Sequence, residues 1–231
     1  MMNPSNGQTF SNAGAWTYNA LVWEGSSFDS CYGHPSGTNE YHQHVIPVCL
    51  SSATSSTTHS IIIGFATDGF PIYGAFGYTN ASNPNSAIKR IMSSYQLRNI
   101  TVRQTYWNGT VLALSMYGPP VNATFPVGSF NENYGYVAGS GDLDMFNGRW
   151  TITPDYPNGT YAYFSTTNSI GYPTYPYLVG PYFYGNVPNL QGVQETRYAY
   201  YQYVNATSSC ENLTGIRFEI FASIIVFLFK F

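Results

Sequence analysis

The sequence predicts a mainly β protein, built as a single β-rich, sandwich-like domain with long loops and an apolar strand at its C-terminus. Three observations lead to this prediction. The 231 residues include 22 Tyr, 15 Phe and 4 Trp, and aromatic side chains favour a pleated, half-buried surface. Charged residues, which include several of the best helix formers, make up only 8% of the chain. Short apolar runs alternate with clusters of Gly, Pro and Asn, as in a protein of many short strands. The length is sufficient for one domain with a sizeable core.

Individual strands follow from the same pattern. We expect an early strand over 15–23 within a lead-in segment, residues 1–28. Residues 61–74 predict a hairpin that turns at Asp68-Gly69, because glycine readily adopts positive φ. Residues 158–164 alternate and predict another strand. Residues 80–137 are interpreted as an elaborated insert with strand-like runs over 100–107 and 111–117. Residues 198–204 are predicted to form the last strand of the domain.

The surface chemistry predicts an extracellular or cell-surface protein. A net charge of -3 with so few basic residues argues against nucleic acid as a partner. Seven Asn-x-Ser/Thr triplets predict covalent N-glycans, although an Asn- and Thr-rich chain also forms such triplets by accident. The predicted sites are Asn80, Asn99, Asn108, Asn122, Asn158, Asn205 and Asn212. The first eight residues lack the basic and apolar regions of a signal peptide, so we expect the sequence to begin inside a longer precursor.

Residues 29–50 are the densest concentration of groups that can bind a metal. They contain three of the four histidines, His34, His42 and His44. Histidines two apart on a strand project from one face, so His42 and His44 can share an ion, with His34 as a third ligand. Imidazole ligands favour copper or zinc. The alternative is that His42 and His44 are core histidines that form hydrogen bonds with the backbone or with Asp68.

Two of the three cysteines bracket the same histidines. Cys31 and Cys49 are expected to form a disulfide, which in an oxidising compartment stabilises a loop of this size by about 3 kcal/mol. Thiolate ligation of zinc is the weaker alternative, because no C-x-x-C spacing occurs. Cys210 is left over, either free or available for a cross-link to another chain.

A second polar cluster lies at 139–150. Asp142, Asp144 and Asn147 offer oxygen ligands suited to calcium, although the spacing is not that of an EF-hand. The alternative is a solvated turn in which these side chains bond to the local backbone. No G-x-S-x-G, H-E-x-x-H or phosphate-binding glycine loop occurs, so no catalytic residue is assigned.

Several of these segments together resemble the YHYH domain of secreted and surface proteins. The resemblance rests on the order and spacing of residues 29–35, 41–50, 63–74, 142–149 and 153–164. Gln43 departs from the name-giving motif, which has a second tyrosine there, but both of its histidines remain. The family has no established reaction, so the resemblance implies a mostly β extracellular domain, over 29–205 in this chain, and no particular catalysis.

The C-terminal segment, residues 206–231, contains an apolar run of ten residues from Ile220. A membrane span needs about 20 residues, so this run is too short by itself. It fits a cleaved anchor signal, the start of a membrane helix, or a buried strand. We expect a strand that adds to a neighbouring copy, which would give a homo-oligomer or a filament.

The leading hypothesis is therefore a secreted, glycosylated structural protein that self-assembles and holds a metal in its YHYH-like domain. Two alternatives stay open. One is a metal-dependent extracellular enzyme with His34, His42 and His44 as ligands. The other is a carbohydrate-binding module that uses the Tyr- and Pro-rich array between Tyr172 and Tyr184 as a stacking platform. Its prolines predict that this array is an ordered loop and not a central strand.

Overall fold

A computed structural model describes residues 16–37, 39–49 and 56–186. One short helix, α1, spans Ala20–Trp23, and 3-10 turns occur at Gly25–Ser27, Leu114–Met116 and Asn131–Asn133. Ten strands follow in chain order: β1 Gly33–Pro35, β2 Tyr41–Gln43, β3 Ile62–Phe65, β4 Pro71–Tyr73, β5 Phe76–Tyr78, β6 Ile88–Arg90, β7 Tyr95–Leu97, β8 Tyr134–Tyr136, β9 Gly148–Thr151 and β10 Thr160–Phe164. The prediction of a mainly β protein is confirmed.

The centre of the fold is a four-stranded sheet in the order β3-β4-β10-β9. Strand β10 pairs parallel with β4 and antiparallel with β9, and β3 with β4 forms the predicted hairpin. Gly69 has φ of 87° in the turn of that hairpin, a conformation that side chains with a Cβ rarely adopt. Strand β10 is covered on both faces, with Tyr161 and Tyr163 in one apolar cluster and Ala162 and Phe164 in another, so all four residues are fully buried.

The remaining strands form three separate two-stranded antiparallel sheets: β1 with β2, β5 with β6, and β7 with β8. Each strand in them is only three residues long. Two-stranded ribbons of this size are marginal by themselves, so they depend on packing and on cross-links.

The strand predicted over 15–23 is wrong over most of its length. Tyr18 forms an isolated bridge with Phe130, and the chain then enters α1. The cause is Asn19, whose side-chain oxygen accepts a hydrogen bond from the backbone N–H of Leu21 and so caps the helix. Trp16 and Tyr18 are buried as apolar alternation predicts, but they pack into a core cluster and not into a sheet.

The strands predicted over 100–107 and 111–117 are also absent, apart from a bridge between Thr105 and Val111. The guanidinium of Arg98 donates to the carbonyl oxygens of Thr105 and Tyr106. The Arg98 side chain thus occupies backbone carbonyl oxygens that would accept hydrogen bonds from a neighbouring strand in a sheet. Residues 111–117 instead contain the 3-10 turn Leu114–Met116.

Three apolar clusters form the interior. The largest surrounds Tyr161 and Tyr163 and includes Val45 and Ile46, which directly follow the histidine-rich segment. A second contains Tyr73 and Phe164 on β4 and β10. The third joins Trp16 and Tyr18 to Leu112 and Phe130. The histidine-rich segment is therefore anchored in the main core through the two residues after His44.

Several expectations lie outside the described residues. These are the first half of the lead-in, the strand at 198–204, the C-terminal strand within 206–231, Cys210, Asn205 and Asn212. Within the described ranges, no helix has the length and apolar character required to cross a membrane.

Candidate metal centre

The hairpin of β1 and β2 presents two of the histidines. His34 and His42 are directly paired across the two strands. The carboxylate of Asp29 holds the base of the hairpin, because it accepts hydrogen bonds from the backbone N–H groups of Cys31 and Gly33 and from the Tyr41 hydroxyl. The hydroxyl end of the Tyr41 ring lies where a Cβ on residue 33 would stand, so a larger residue there would displace this side chain from Asp29.

The Nε2 atoms of the three histidines converge on one point. His34 Nε2 lies 3.2 Å from His42 Nε2 and 3.3 Å from His44 Nε2, and the latter two atoms are 2.9 Å apart. Glu24, immediately after α1, adds a carboxylate whose Oε2 lies 3.2 Å from Nε2 of both His34 and His44. One ligand atom from each of the four residues lies within 4.8 Å of every other, so this cluster could hold a metal ion.

These separations match the edges of a coordination tetrahedron. An ion bound tetrahedrally at about 2.0–2.1 Å from its ligand atoms places those atoms about 3.3 Å apart. Five of the six ligand-to-ligand distances at the centre run from 2.9 to 3.3 Å, and all six are within 4.8 Å. The side chains are therefore arranged with the spacing of a single metal ion.

Hydrogen bonds to the outer ring nitrogens leave the inner nitrogens able to bind a cation. The Ser27 hydroxyl donates to the carbonyl oxygen of Glu24 at 2.6 Å, so it accepts from Nδ1–H of His34 at 2.9 Å. His42 Nδ1–H donates to the carbonyl oxygen of Glu40 at 3.1 Å. In a neutral imidazole with a proton on Nδ1, the Nε2 lone pair is free. Both rings thus have the tautomer that a metal ligand needs.

Burial and neighbouring groups favour a neutral His34 and an ionised Glu24. His34 is only 7% exposed, and this burial lowers its pKa, with the neighbouring His42 as the next cause. The hydrogen bond with His44 lowers the pKa of Glu24 and keeps its carboxylate ionised. The ring of Phe28 packs against the rings of His34 and His44 at centroid distances of 4.9 and 6.0 Å. The centre therefore combines a buried imidazole whose pKa is lowered, one ionised carboxylate and an apolar wall.

The predicted disulfide is present between Cys31 and Cys49, whose Cα atoms are 5.1 Å apart. Its formation excludes the alternative in which these cysteines are thiolate ligands of zinc. All three histidines lie within the loop that it closes.

Glu24 was not found from the sequence. It lies ten residues before His34 and belongs to no spaced motif; the only signal is an isolated acidic residue shortly before the histidine-rich segment. The alternative that the histidines bond to Asp68 is wrong, because Asp68 accepts from the Tyr163 hydroxyl at 2.5 Å and from the backbone N–H of Gly185.

The three residues predicted to bind calcium have other partners. Asp142 forms an ion pair with Lys89 at 2.5 Å and accepts from the backbone N–H of Met92. Asp144 accepts from the Tyr161 hydroxyl and from backbone N–H groups within its own turn. The buried amide of Asn147 donates to the carbonyl oxygens of Phe164 and Leu178. This arrangement is a hydrogen-bonded turn docked on the core. Protein donors bind the carboxylates of Asp142 and Asp144, whereas the buried Oδ1 of Asn147 has no hydrogen-bond partner among the described residues.

The tyrosine array offers little surface for stacking. Tyr175 and Tyr177 are buried in the main core, and the Tyr184 ring stacks on Tyr161 at a centroid distance of 3.7 Å. Tyr172 is 47% exposed. The described part of the array, 171–186, contains no strand, as its prolines predict.

The five described sequon asparagines are Asn80, Asn99, Asn108, Asn122 and Asn158, and each is exposed. Their placement leaves room for a glycan, and glycosylation of these positions stays a prediction.

Fold and site together define a β-rich domain that carries a candidate metal centre of three histidines and one glutamate on a disulfide-closed hairpin. A family model described as YHYH protein matches residues 1–178, and the chain belongs to this family. Searches of curated proteins and of solved structures found no match. The motif position that departs from the family pattern, Gln43, is buried and donates to the carbonyl oxygen of Cys31. Its side chain thus supports the base of the hairpin and does not enter the ligand cluster.

Proposed function

We propose that this protein is a secreted structural protein whose domain is stabilised by one transition-metal ion. The ion is bound by Glu24, His34, His42 and His44. The observation that carries the proposal is the set of five ligand-to-ligand distances between 2.9 and 3.3 Å, made by residues from two separate segments.

A structural role fits the number of ligands. Structural zinc sites use four protein ligands, whereas catalytic sites keep one position for water or substrate. Here four side chains each offer one ligand atom to the same cluster, and Phe28 covers part of it. The arrangement therefore supports a metal-stabilised structural domain over a metal-dependent enzyme.

Zinc is the ion that this arrangement suits best. Three imidazoles and one carboxylate are common ligands of both zinc and copper. Copper(II) prefers a square or tetragonal arrangement, while zinc accepts a tetrahedral one. The five ligand-to-ligand distances of 2.9–3.3 Å are nearly equal. This favours a tetrahedral arrangement over a square one, and therefore zinc over copper.

The ion would add a link between two segments that already contact each other through Ser27 and Phe28. Glu24 follows α1, and the histidines lie on and just after the β1–β2 hairpin. Because the four ligands meet only in the folded chain, metal binding stabilises the folded state by mass action.

The direct test is zinc binding to oxidised protein that a chelator has first stripped of metal. We expect one zinc per chain by native mass spectrometry and a higher melting temperature after zinc addition. His42→Ala and His44→Ala should each remove most of this shift. Glu40→Gln is the matched control, since it changes a carboxylate of the same hairpin outside the ligand set. An absence of zinc binding, or equal binding by the histidine variants, would show that the proposal is wrong.

Secretion, glycosylation and self-assembly are further parts of the proposal. A disulfide and five exposed sequon asparagines support an oxidising, extracellular setting. Removal of residues 216–231 tests assembly: we expect a folded monomer by light scattering, while the longer chain forms larger species. Assembly by the truncated chain would contradict strand addition. A mass decrease on treatment of the secreted protein with an N-glycosidase tests the glycans.

A further inference from the structure

We propose that the Cys31–Cys49 disulfide and the metal centre are thermodynamically linked, so that reduction of the disulfide weakens metal binding and bound metal protects the disulfide. This inference rests on the proposed function, because it concerns the regulation of the same centre. Its basis is the set of contacts that hold the β1–β2 hairpin, which carries His34 and His42, in place.

The β1–β2 hairpin is not part of a larger sheet. Among the described strands, β1 and β2 pair only with each other, over three residues each. A two-stranded hairpin of this length is marginally stable alone. The positions of His34 and His42 therefore depend on contacts at the base of the hairpin.

The disulfide lies at that base. Cys31 is two residues before β1, and Cys49 is five residues after His44, so the covalent loop encloses all three histidines. The carbonyl oxygen of Cys31 also accepts from Gln43 Nε2, beside His42 and His44 in the chain. With the disulfide intact, much of the chain entropy lost on gathering the histidines is already removed. Without it, metal binding must order a longer and looser segment.

The bond is placed where a reductant can reach it. Cys49 is exposed and Cys31 is partly exposed. Reduction by a thiol such as glutathione transfers two electrons and two protons to the two sulfur atoms. Two glutathione molecules become one glutathione disulfide, and Cys31 and Cys49 become thiols. The reduced hairpin then releases its ion to solvent as the aqueous cation.

The first measurement compares the Cys31→Ser/Cys49→Ser variant with the protein that retains both cysteines, each with Cys210→Ser to prevent exchange. Zinc affinity is measured by competition with a chromophoric chelator, without reductant. We expect the double-serine variant to bind zinc about tenfold to a hundredfold more weakly. Near-ultraviolet circular dichroism of the tyrosine-rich core reports whether the rest of the domain stays folded. An unchanged or higher affinity in a folded variant would overturn the inference.

The second measurement uses the native cysteines and does not depend on the folding of a variant. The fraction of oxidised Cys31–Cys49 is measured in glutathione redox buffers, with and without zinc, by thiol alkylation and mass spectrometry. Because linkage is reciprocal, each tenfold difference in zinc affinity between the oxidised and reduced forms shifts the midpoint by about 30 mV toward more reducing values. The His42→Ala/His44→Ala variant should show no shift. A midpoint that zinc does not move would also overturn the inference.

The outcomes separate this inference from the proposed function. If the oxidised protein binds no zinc, both fail together. If it binds one zinc through the histidines while the double-serine variant keeps the same affinity, only the linkage fails.

Discussion

His34 and His42 are cross-strand partners in the β1–β2 hairpin, and their Nε2 atoms lie 3.2 Å apart. Each ring uses Nδ1 for a hydrogen bond to another part of the chain, so both Nε2 atoms face the same point. A hairpin that pairs two imidazoles in this way needs only one or two further ligands to complete a metal site. His44 and Glu24 supply them.

We predict that Ser27→Ala weakens zinc binding by about tenfold to a hundredfold, although Ser27 is not a ligand. Its hydroxyl bridges the Glu24 backbone carbonyl oxygen and His34 Nδ1, so its loss frees the His34 ring to turn. Ser27→Thr should restore most of the affinity, since threonine keeps the hydroxyl. Competition titration with a chelator is the measurement. Ser26→Ala is the exposed neighbouring control, and equal affinities for all variants would contradict a positioning role for Ser27.

We predict that Tyr161→Phe lowers the free energy of unfolding by about 1–3 kcal/mol. The Tyr161 hydroxyl donates to both carboxylate oxygens of Asp144, at 2.9 and 3.0 Å. Burial already raises the pKa of Asp144, so the loss of a donor leaves a poorly solvated carboxylate with fewer partners. Urea unfolding measures the change. Tyr172→Phe, at an exposed position, should have little effect, and a similar loss in both variants would argue against the buried pair.

We predict that Arg103→Lys lowers the free energy of unfolding by about 2–4 kcal/mol, although the charge is kept. Arg103 is 1% exposed and lies over the Phe130 ring at 4.7 Å. Its guanidinium donates to several acceptors that one ammonium group does not reach together: Pro119 O, Phe125 O, Pro126 O, Ser129 Oγ and Asn133 Oδ1. Thermal and urea unfolding report the loss. Arg90→Lys, at a partly exposed arginine, should cost less; the reverse order would contradict this account.

We predict that Glu132→Gln removes part of the pH dependence of stability. Burial raises the pKa of Glu132 from 4.5 to about 7, against the effect of two hydrogen bonds from Thr17. Between these values the unfolded chain has lost the proton that the folded chain retains, so wild-type stability falls as pH rises from 4.5 to about 7. Glutamine does not titrate and still accepts from the Thr17 N–H.

Urea unfolding of both proteins below, within and above this pH window measures the difference. The two proteins should be similar at the acidic end, and the glutamine variant should gain relative to the wild type as pH rises. A constant difference across the window would show that Glu132 does not titrate as described.

Much of the fold could be predicted where the signal is local. The hairpin at 61–74 and the strand at 158–164 were found because alternation and an Asp-Gly turn act within a few residues. The strand over 15–23 was missed because one side chain, Asn19, caps a helical turn inside an apolar run. The run at 100–107 was wrongly predicted as a strand because the Arg98 side chain bonds the carbonyl oxygens of Thr105 and Tyr106, and the run at 111–117 because it contains the 3-10 turn Leu114–Met116.

The candidate site likewise contains residues that the sequence indicated and residues that it did not. The spacing of His34, His42 and His44 indicated a shared ligand role from the sequence. Nothing in the spacing indicated Glu24, which lies in the turn after α1, where Ser27 and Phe28 also contact His34. The oxygen-rich loop shows the converse: Asp142 and Asn147 have the composition of a calcium site, but Lys89 and two core carbonyl groups are their partners in the fold.

The sequence by itself indicated the β-rich class, the Cys31–Cys49 pair, the grouping of three histidines and the resemblance to the YHYH family. These depend on residue type, on local periodicity and on short spacings, all of which are present in the linear chain. Only the tertiary structure decided that Glu24 completes the cluster, that Ser27 and Glu40 orient the rings, and that the Asp142 loop is a turn bound to the core. The physical reason is that Lys89 reaches the Asp142 loop from a segment brought near by core packing, while the bonds of Ser27 and Glu40 to the rings depend on the local turn geometry. Contacts of neither kind leave a pattern along the chain.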